Sequence, residues 1–284
     1  MMAGPSLKVK FGRRQVAAPP STGGCDEECD CIETLVKFSD EFCDVAPTQN
    51  VDNPNPHWEF SPGAGGLLSN LERSNGWWRL SEASAQNGPQ IATLQERFHC
   101  WAIKEVFPVN GPTPPEASAT LRYKTKLFVS NYVAQNPETP QLEAGLRNSL
   151  DGRGAFFRTR ETGLIPNSLF WDIVVSTGGF GTVVVQTNIP VGRTCKGNAV
   201  FNDPGAQLLE IRLTFTGGAE FFINGVSVGT VPAATGAFQG LLGDVFKAFY
   251  ETSGVLIGEV IAVDIDFICV TQTPRLCQDK QQPF

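Results

Sequence analysis

The stretch from Leu208 to Val231 constrains the fold more than any other part of this 284-residue chain. From Leu209 to Thr216 apolar and polar side chains alternate, and this period of two is typical of a half-buried β-strand. Asn224-Gly225 is a strong hairpin signal, because a type I′ turn needs positive φ at both central residues. With Gly217-Gly218 as an earlier turn, the stretch predicts three consecutive antiparallel strands.

This stretch also resembles part of a known family. EIRLTFTGGAEFFINGVSVGTV is similar to the strand–turn–strand unit of the concanavalin A-like jelly-roll superfamily, which ends in a Tyr/Phe-x-(Asp/Asn)-Gly hairpin. Val260 to Val270 resembles the closing strand of these sandwiches, and the resemblance extends from Phe156 to Thr273. The superfamily includes legume lectins, laminin-G-type modules and β-glucanases. The resemblance implies a two-sheet antiparallel jelly-roll sandwich, a fold that does not by itself assign a function.

The composition agrees with an all-β protein. The chain has 29 Gly, 20 Pro and 20 Phe, and few stretches with a helical pattern. From Trp58 onward, candidate strands recur at the spacing of a sandwich. Gln141 to Leu150 is the clearest helical turn. We therefore predict one jelly-roll sandwich domain over residues 56–284.

Residues 1–55 are predicted to form an extended, cysteine-containing arm. Met1 to Gly24 is basic and rich in Pro, Gly and Ser, without a periodic pattern. A segment of this composition does not bury enough apolar surface to be ordered alone. We therefore expect the arm to bind neighbouring subunits, and the chain to form a homo-oligomer.

Four cysteines lie close together in this arm, and three alternatives remain open for them. Cys25, Cys29, Cys31 and Cys43 have the spacing C-x3-C-x-C-x11-C, which lacks the paired C-x2-C of most zinc sites. They are weak metal candidates, because the acidic neighbours disfavour thiolates. The even total of 8 Cys is compatible with disulfides, and free thiols are the third alternative. No other motif indicates a cofactor, so none is expected.

The pattern of Asp and Glu residues along the sequence does not suggest catalysis. The Glu-x-Asp-x-(x)-Glu strand of β-glucanases is missing. The nearest pair, Asp264 and Asp266 on the last strand, is predicted to form a solvated or hydrogen-bonded face. The chain is therefore predicted not to be an enzyme.

Sugar binding without catalysis is a separate hypothesis. The loop Asn202-Asp203-Pro204 has oxygens of the kind that bind Ca²⁺ in legume-type lectins. Trp77 and Trp78 are neighbours in a candidate strand, so they face opposite sides and at most one lies in the core. The other is predicted to be an interface anchor or a ligand platform, with the interface favoured because Trp is enriched at binding hot spots. Trp101 and Trp171 are predicted core residues.

Charge and hydropathy exclude several classes of function. The net charge of −7 argues against nucleic-acid binding, which needs a basic face. No apolar run is long enough for a membrane span, and the first residues lack the apolar core of a signal peptide. Synthesis in a host cytoplasm is therefore expected.

The leading functional prediction combines these features. A jelly roll without catalytic residues, an arm that needs a partner and no export signal together suggest a non-enzymatic virion structural protein. A bacteriophage capsid decoration (cement) or fibre-type protein fits best, with other capsid subunits as partners. The alternative is a carbohydrate-binding, lectin-like adhesion module that contacts glycans.

Overall fold

The computed structural model describes residues 36–40, 58–62, 66–72, 77–85, 87–96, 101–102, 121–134, 141–148, 152–162, 169–176, 182–199, 202–213, 218–231 and 245–272. Sixteen β-strands occupy these ranges. Within them there is no helix long and apolar enough to cross a lipid bilayer.

The strands account for most of the described chain. In order they are β1 Val36–Asp40, β2 Trp58–Ser61, β3 Gly66–Glu72, β4 Trp77–Ala83, β5 Gln90–Glu96, β6 Trp101–Ala102, β7 Leu121–Val133, β8 Gln141–Arg147, β9 Gly154–Glu161, β10 Leu169–Ser176, β11 Thr182–Pro190, β12 Gln207–Leu213, β13 Ala219–Ile223, β14 Val226–Val231, β15 Val245–Gly254 and β16 Val260–Gln272.

These strands form two eight-stranded antiparallel sheets. The first sheet has the order β14-β13-β12-β7-β16-β4-β3, and β1 pairs with the second half of β16 beyond the end of β4. The second sheet has the order β11-β10-β9-β8-β15-β5-β2, and β6 pairs with the start of β15. The two sheets pack face to face, so the predicted two-sheet jelly-roll sandwich is confirmed.

The central stretch folds as its pattern predicts. β12, β13 and β14 pair in succession, and Leu209, Ile211 and Leu213 are fully buried. Asn224 and Gly225 join the last two strands with φ of 52° and 78°. These are the positive values of a type I′ turn, so the hairpin prediction is confirmed.

Aromatic side chains fill the space between the sheets. Trp58, Trp78 and Trp171 are fully buried, as expected for Trp171. Several polar atoms in this core have hydrogen-bond partners. The indole Nε1 of Trp171 donates to Oε1 of Gln207 at 2.8 Å, and the hydroxyls of Thr125 and Tyr250 join the two sheets at 2.8 Å.

One local prediction is wrong. Gln141 to Leu150 was expected to form a helical turn, because Gln, Leu, Glu and Ala favour helices. Residues 141–147 instead form β8, between β9 and β15 in the second sheet. Pairing on both sides outweighs a propensity of a few tenths of a kcal/mol per residue.

Part of the predicted arm lies in the first sheet. Val36–Asp40 is strand β1 and pairs antiparallel with residues 268–272 of β16. All other arm residues, including Cys25, Cys29, Cys31 and Cys43, lie outside the described residues, so the arm, its boundary and the cysteine alternatives stay predictions. In the described part of the chain, Cys195 and Cys269 are free thiols.

Candidate functional site

Charged side chains and a pocket lie together on the outer face of the second sheet, the face turned away from the core. Along β8 the three apolar side chains Leu142, Ala144 and Leu146 point into the core. Because side chains alternate along a strand, Glu143 and Arg147 project from the outer face.

Two carboxylates face each other at the middle of this surface. Glu143 on β8 lies directly opposite Glu251 on β15. Directly opposite residues have Cβ atoms about 4.5–5.5 Å apart. Arg147 bridges the carboxylate pair: its Nη1 lies 3.4 Å from Oε2 of Glu143, and its Nη2 donates to Oε2 of Glu251 at 2.5 Å. The side chains of Glu143, Glu251 and Arg147 are 16%, 18% and 23% exposed, so water reaches all three.

The two members of the carboxylate pair have unequal surroundings. Burial and the nearby charge of Glu251 raise the pKa of Glu143 to about 7, although Arg147 and Arg158 act in the opposite direction. Like charges at this distance disfavour ionisation of both groups. Glu143 therefore exchanges a proton near neutral pH, which an ordinary glutamate does not do.

An apolar row forms the floor beside the carboxylate pair. Phe156, Val174 and Phe249 are almost fully buried on the outer face, and the rings of Phe156 and Phe249 meet edge to face at 5.7 Å. Gly145 lies between them, where a Cβ atom would be 2.6 Å from the Cα of Phe156. The guanidinium of Arg147 lies 4.0 Å from the ring centre of Phe249. Contact with the Phe249 ring in this apolar floor therefore restricts the position of the Arg147 side chain.

A pocket of about 360 Å³ opens on the same face, next to Arg147. Six of its seven lining residues have polar or charged side chains, and the surface of its wall is about half polar and half apolar. This pocket, the groove, is lined by Glu59, Ser61, Thr93, Gln95, Arg147, Asn148 and Gly152. Thr93 lies opposite Glu251 across the β15–β5 pair, so the groove continues into the carboxylate pair.

The charged row extends to the other side of the sheet. Arg158 on β9 lies opposite both Glu143 and Asp172. Asp172 is 2% exposed and accepts hydrogen bonds from Nε of Arg160 at 3.0 and 3.1 Å. Charged residues thus occupy four neighbouring strands, in the order Asp172, Arg158, Glu143 and Glu251, and the fixed positions of their polar atoms suit a ligand with many hydroxyl groups.

The two tryptophans of the predicted platform, Trp77 and Trp78, lie on opposite faces of the first sheet. Trp78 is fully buried in the core, which removes it as a platform residue. Trp77 is half-buried on the outer face of the first sheet, edge to face with Phe128 at 5.2 Å. A role of Trp77 in binding stays a prediction.

The aspartates of the last strand form ion pairs. Asp264 is 2% exposed and accepts from Nε and Nη2 of Arg79 at 2.7 and 2.8 Å, while Asp266 accepts from Lys126 at 2.7 Å. Glu210 nearby accepts from Arg122 and Arg212, each at 2.5 Å. Their oxygens are engaged within the first sheet.

The loop with possible calcium ligands is also internally bonded. Asp203 accepts hydrogen bonds from the backbone N–H groups of Arg193 and Gly205 and from the hydroxyl of Thr194. Burial raises the pKa of Asp203, but these hydrogen bonds outweigh it and hold the pKa below its usual range. No group of three or more potential metal ligands occurs among the residues that the structure describes.

The carboxylate pair is not evident from the sequence. Arg147 and Glu251 are 104 positions apart, and only the order of the strands brings them together. The local signal was present, since Leu142, Ala144 and Leu146 alternate with polar residues or glycine, but the helix-forming composition of β8 hid it.

Comparisons with known proteins agree on the fold. No protein-family model and no curated protein matches the sequence. Among solved structures, an endo-1,3-beta-glucanase from Streptomyces sioyaensis is similar at a TM-score of 0.53 and 12% identity, over 85% of this chain and 96% of the glucanase.

Two further structures show weaker likeness. Winged bean acidic lectin in complex with methyl-alpha-D-galactose has a TM-score of 0.48 and 12% identity, over 84% of this chain and 99% of the lectin. The CBM2 module of the evolved Dit of Lactobacillus casei BL23 phage J-1 has a TM-score of 0.49 and 9% identity, over 85% of this chain and 97% of the module.

The prediction that the chain is not an enzyme is wrong. That prediction rested on the premise that no sheet face of the jelly roll carries a pair of carboxylates. The fold is similar to that of an endo-1,3-beta-glucanase from Streptomyces sioyaensis, and Glu143 and Glu251 lie opposite each other on such a face.

Proposed function

We propose that this chain is a carbohydrate-binding protein and that a polysaccharide lies along the groove on the outer face of the second sheet. The polar side chains that line the groove, next to the carboxylate pair, are the observation that carries this proposal. Sugar hydroxyls both donate and accept hydrogen bonds. The hydroxyls of Ser61 and Thr93 and the amides of Gln95 and Asn148 can do both in return.

Replacing Thr93 with valine tests this proposal. Thr93→Val keeps the shape of the side chain and removes its hydroxyl, so we expect about three- to tenfold weaker binding to any polysaccharide that the native chain binds. The measurement is an array of soluble polysaccharides, including a 1,3-β-glucan, followed by titration.

The matched control is Thr230→Val on β14 of the first sheet, where the threonine is exposed and far from the groove in the strand order. This control should bind like the native chain. Absence of binding to every polysaccharide, or equal losses in the two variants, would contradict the proposed groove.

A second function, cleavage of the bound polysaccharide, is favoured by the carboxylate pair. Glycoside hydrolysis needs one protonated and one ionised carboxyl group flanking the sugar bond, and a separation of about 5 Å accompanies retention of configuration. Glu143, with a pKa of about 7, would protonate the leaving oxygen. Glu251 would attack the anomeric carbon, and water would then release the glycosyl group with Glu143 taking the proton. Release of reducing ends from a bound polysaccharide measures this activity.

The setting in which the protein acts is a further part of the proposal. A virion, as a bacteriophage capsid decoration or fibre-type protein made in the host cytoplasm, is supported by the basic Pro/Gly-rich segment Met1 to Gly24 and by the jelly-roll fold. In this setting the carbohydrate site would contact host glycans. Mass spectrometry of purified particles should find the chain at a constant ratio to the capsid protein, and its absence would refute this setting.

A further inference from the structure

Strand β11 is an edge of the second sheet, and among the described strands only β10 pairs with it. Its residues Thr182–Pro190 include no charged side chain. Val184 and Val185, on opposite faces, are 38% and 37% exposed. An edge strand presents a row of backbone N–H and C=O groups, so an uncharged, exposed edge is a template for another strand.

The strands at the other three ends of the two main strand orders have features that discourage pairing. β14 contains Gly229 and faces a bulge in β13 at Phe221/Phe222. β2 is four residues long and carries Glu59, and β3 carries Glu72 next to a register shift. Short length, charge and bulges are the usual protections of edge strands. β11 has none of them between Thr182 and Gln186.

The apolar floor of the outer face reaches this edge. Val174 lies opposite Phe156 on one side and opposite Val184 on the other. The row therefore ends at the half-exposed Val184, and no described strand lies beyond it in the sheet. A second copy of the same strand, related by a two-fold axis, would continue this row with its own Val184.

We propose that two copies of this chain pair through β11, antiparallel about a two-fold axis at Val184. In this register Val184 lies opposite its own copy, Val183 opposite Val185, and Thr182 opposite Gln186. Every opposed pair is uncharged, as an isologous interface requires. Pairing stops after Gln186, because the carbonyl of Thr187 accepts from Arg160 at 3.2 Å and Pro190 has no N–H.

The dimer would place two grooves on one continuous sheet. This consequence rests on the proposed carbohydrate site, whereas the dimer itself does not. Five strand steps separate β11 from β5, so the two grooves lie roughly 50 Å apart along the sheet at about 4.8 Å per strand. A long polysaccharide could then engage both sites, and binding the second would be intramolecular.

The test is the mass of the full chain in solution, measured by analytical ultracentrifugation at micromolar concentration. We expect a dimer for the native chain and a monomer for Val184→Lys. The dissociation constant of the dimer should rise at least a hundredfold, because two like charges would lie directly opposite each other. Val226→Lys, at a valine 67% exposed in edge strand β14, is the matched control and should stay dimeric.

Two results would overturn the proposal. One is a native chain that is monomeric at these concentrations. The other is a native assembly whose mass Val184→Lys leaves unchanged, which would assign association to a different surface. Circular dichroism verifies the fold of each variant, and Gln186→Lys replaces Val184→Lys if the latter does not fold. Since neither measurement uses a sugar, failure of the dimer and failure of the carbohydrate site are separate results.

Discussion

Between about pH 5 and pH 8, the native chain is expected to lose about 2–3 kcal/mol of unfolding free energy that Glu143→Gln does not lose. The pKa of Glu143 is about 7 in the folded chain, against an ordinary value of 4.5. Between these values the folded state binds more protons than the unfolded state. The stabilisation is therefore complete below the unfolded pKa and is lost as pH rises through the folded pKa.

The groups around Glu143 make this prediction specific. Glu251 faces it from β15, Arg158 faces it from β9, and Arg147 lies on its own strand. Glutamine at position 143 cannot ionise, so at about pH 8 the variant should be the more stable protein, and near pH 5 the two should be similar. Urea denaturation of both proteins across this range gives the difference between their stability curves, in which the titration of groups that do not interact with Glu143 cancels.

Glu210→Gln is the matched control, with the opposite sign. Burial raises the pKa of Glu210, but hydrogen bonds from Arg122 and Arg212 outweigh it and lower the pKa below its usual range. This carboxylate therefore stabilises the fold above the unfolded pKa, and the benefit is lost as pH falls through the folded pKa. Glu210→Gln should be less stable than the native chain at neutral pH. A flat difference curve for Glu143→Gln would show that the pair is not coupled as described.

Glu251→Gln is expected to reduce polysaccharide cleavage by about a thousandfold or more while leaving binding nearly unchanged. The proposed nucleophile is lost, but the amide keeps a similar shape beside Arg147. Glu143→Gln should lower the rate by about a hundredfold to ten-thousandfold, and least for substrates with good leaving groups that need no protonation. The difference between leaving groups distinguishes an acid from a residue that only holds the site together.

Glu220→Gln, on β13 of the first sheet, is the matched control for cleavage and should retain the native rate. Reducing-end release and binding are measured on the same preparations and the same polysaccharide. If the native chain binds the polysaccharide but releases no reducing ends, the hydrolysis proposal is refuted and the lectin-like function remains. Release that survives in Glu251→Gln would place the reaction elsewhere.

Local signals in the sequence predicted the parts of the fold that depend on neighbouring residues. The alternation around Leu209 and Ile211 needed only a period of two, and Asn224-Gly225 needed only its own backbone geometry. The adjacent tryptophans show the limit of such signals. Alternation requires one of them to face inward, but the register between β4 and β16 decides that it is Trp78.

The candidate site depends on distant pairing, which no local pattern contains. Glu143 and Glu251 are ordinary surface glutamates until β8 and β15 become neighbours. The groove combines residues from β2, β5 and the end of β8, three strands that are far apart in the chain. The helix-forming composition of β8 also pointed away from a sheet. The site could therefore be predicted only once the order of the strands in the sheet was known.

The position of β16 has a consequence for how this protein is made. β16 pairs with β7 along its full length and with β4 and β1 on its other side, and the Arg79–Asp264 ion pair spans 185 positions. On a ribosome adding about 5–20 residues per second, β4 would wait roughly 10–40 s for its partner. During that time its unpaired edge and Trp78 would be open to aggregation. Slow synthesis should therefore favour chaperone capture of nascent chains, and a circular permutant that brings β16 next to β4 should escape it.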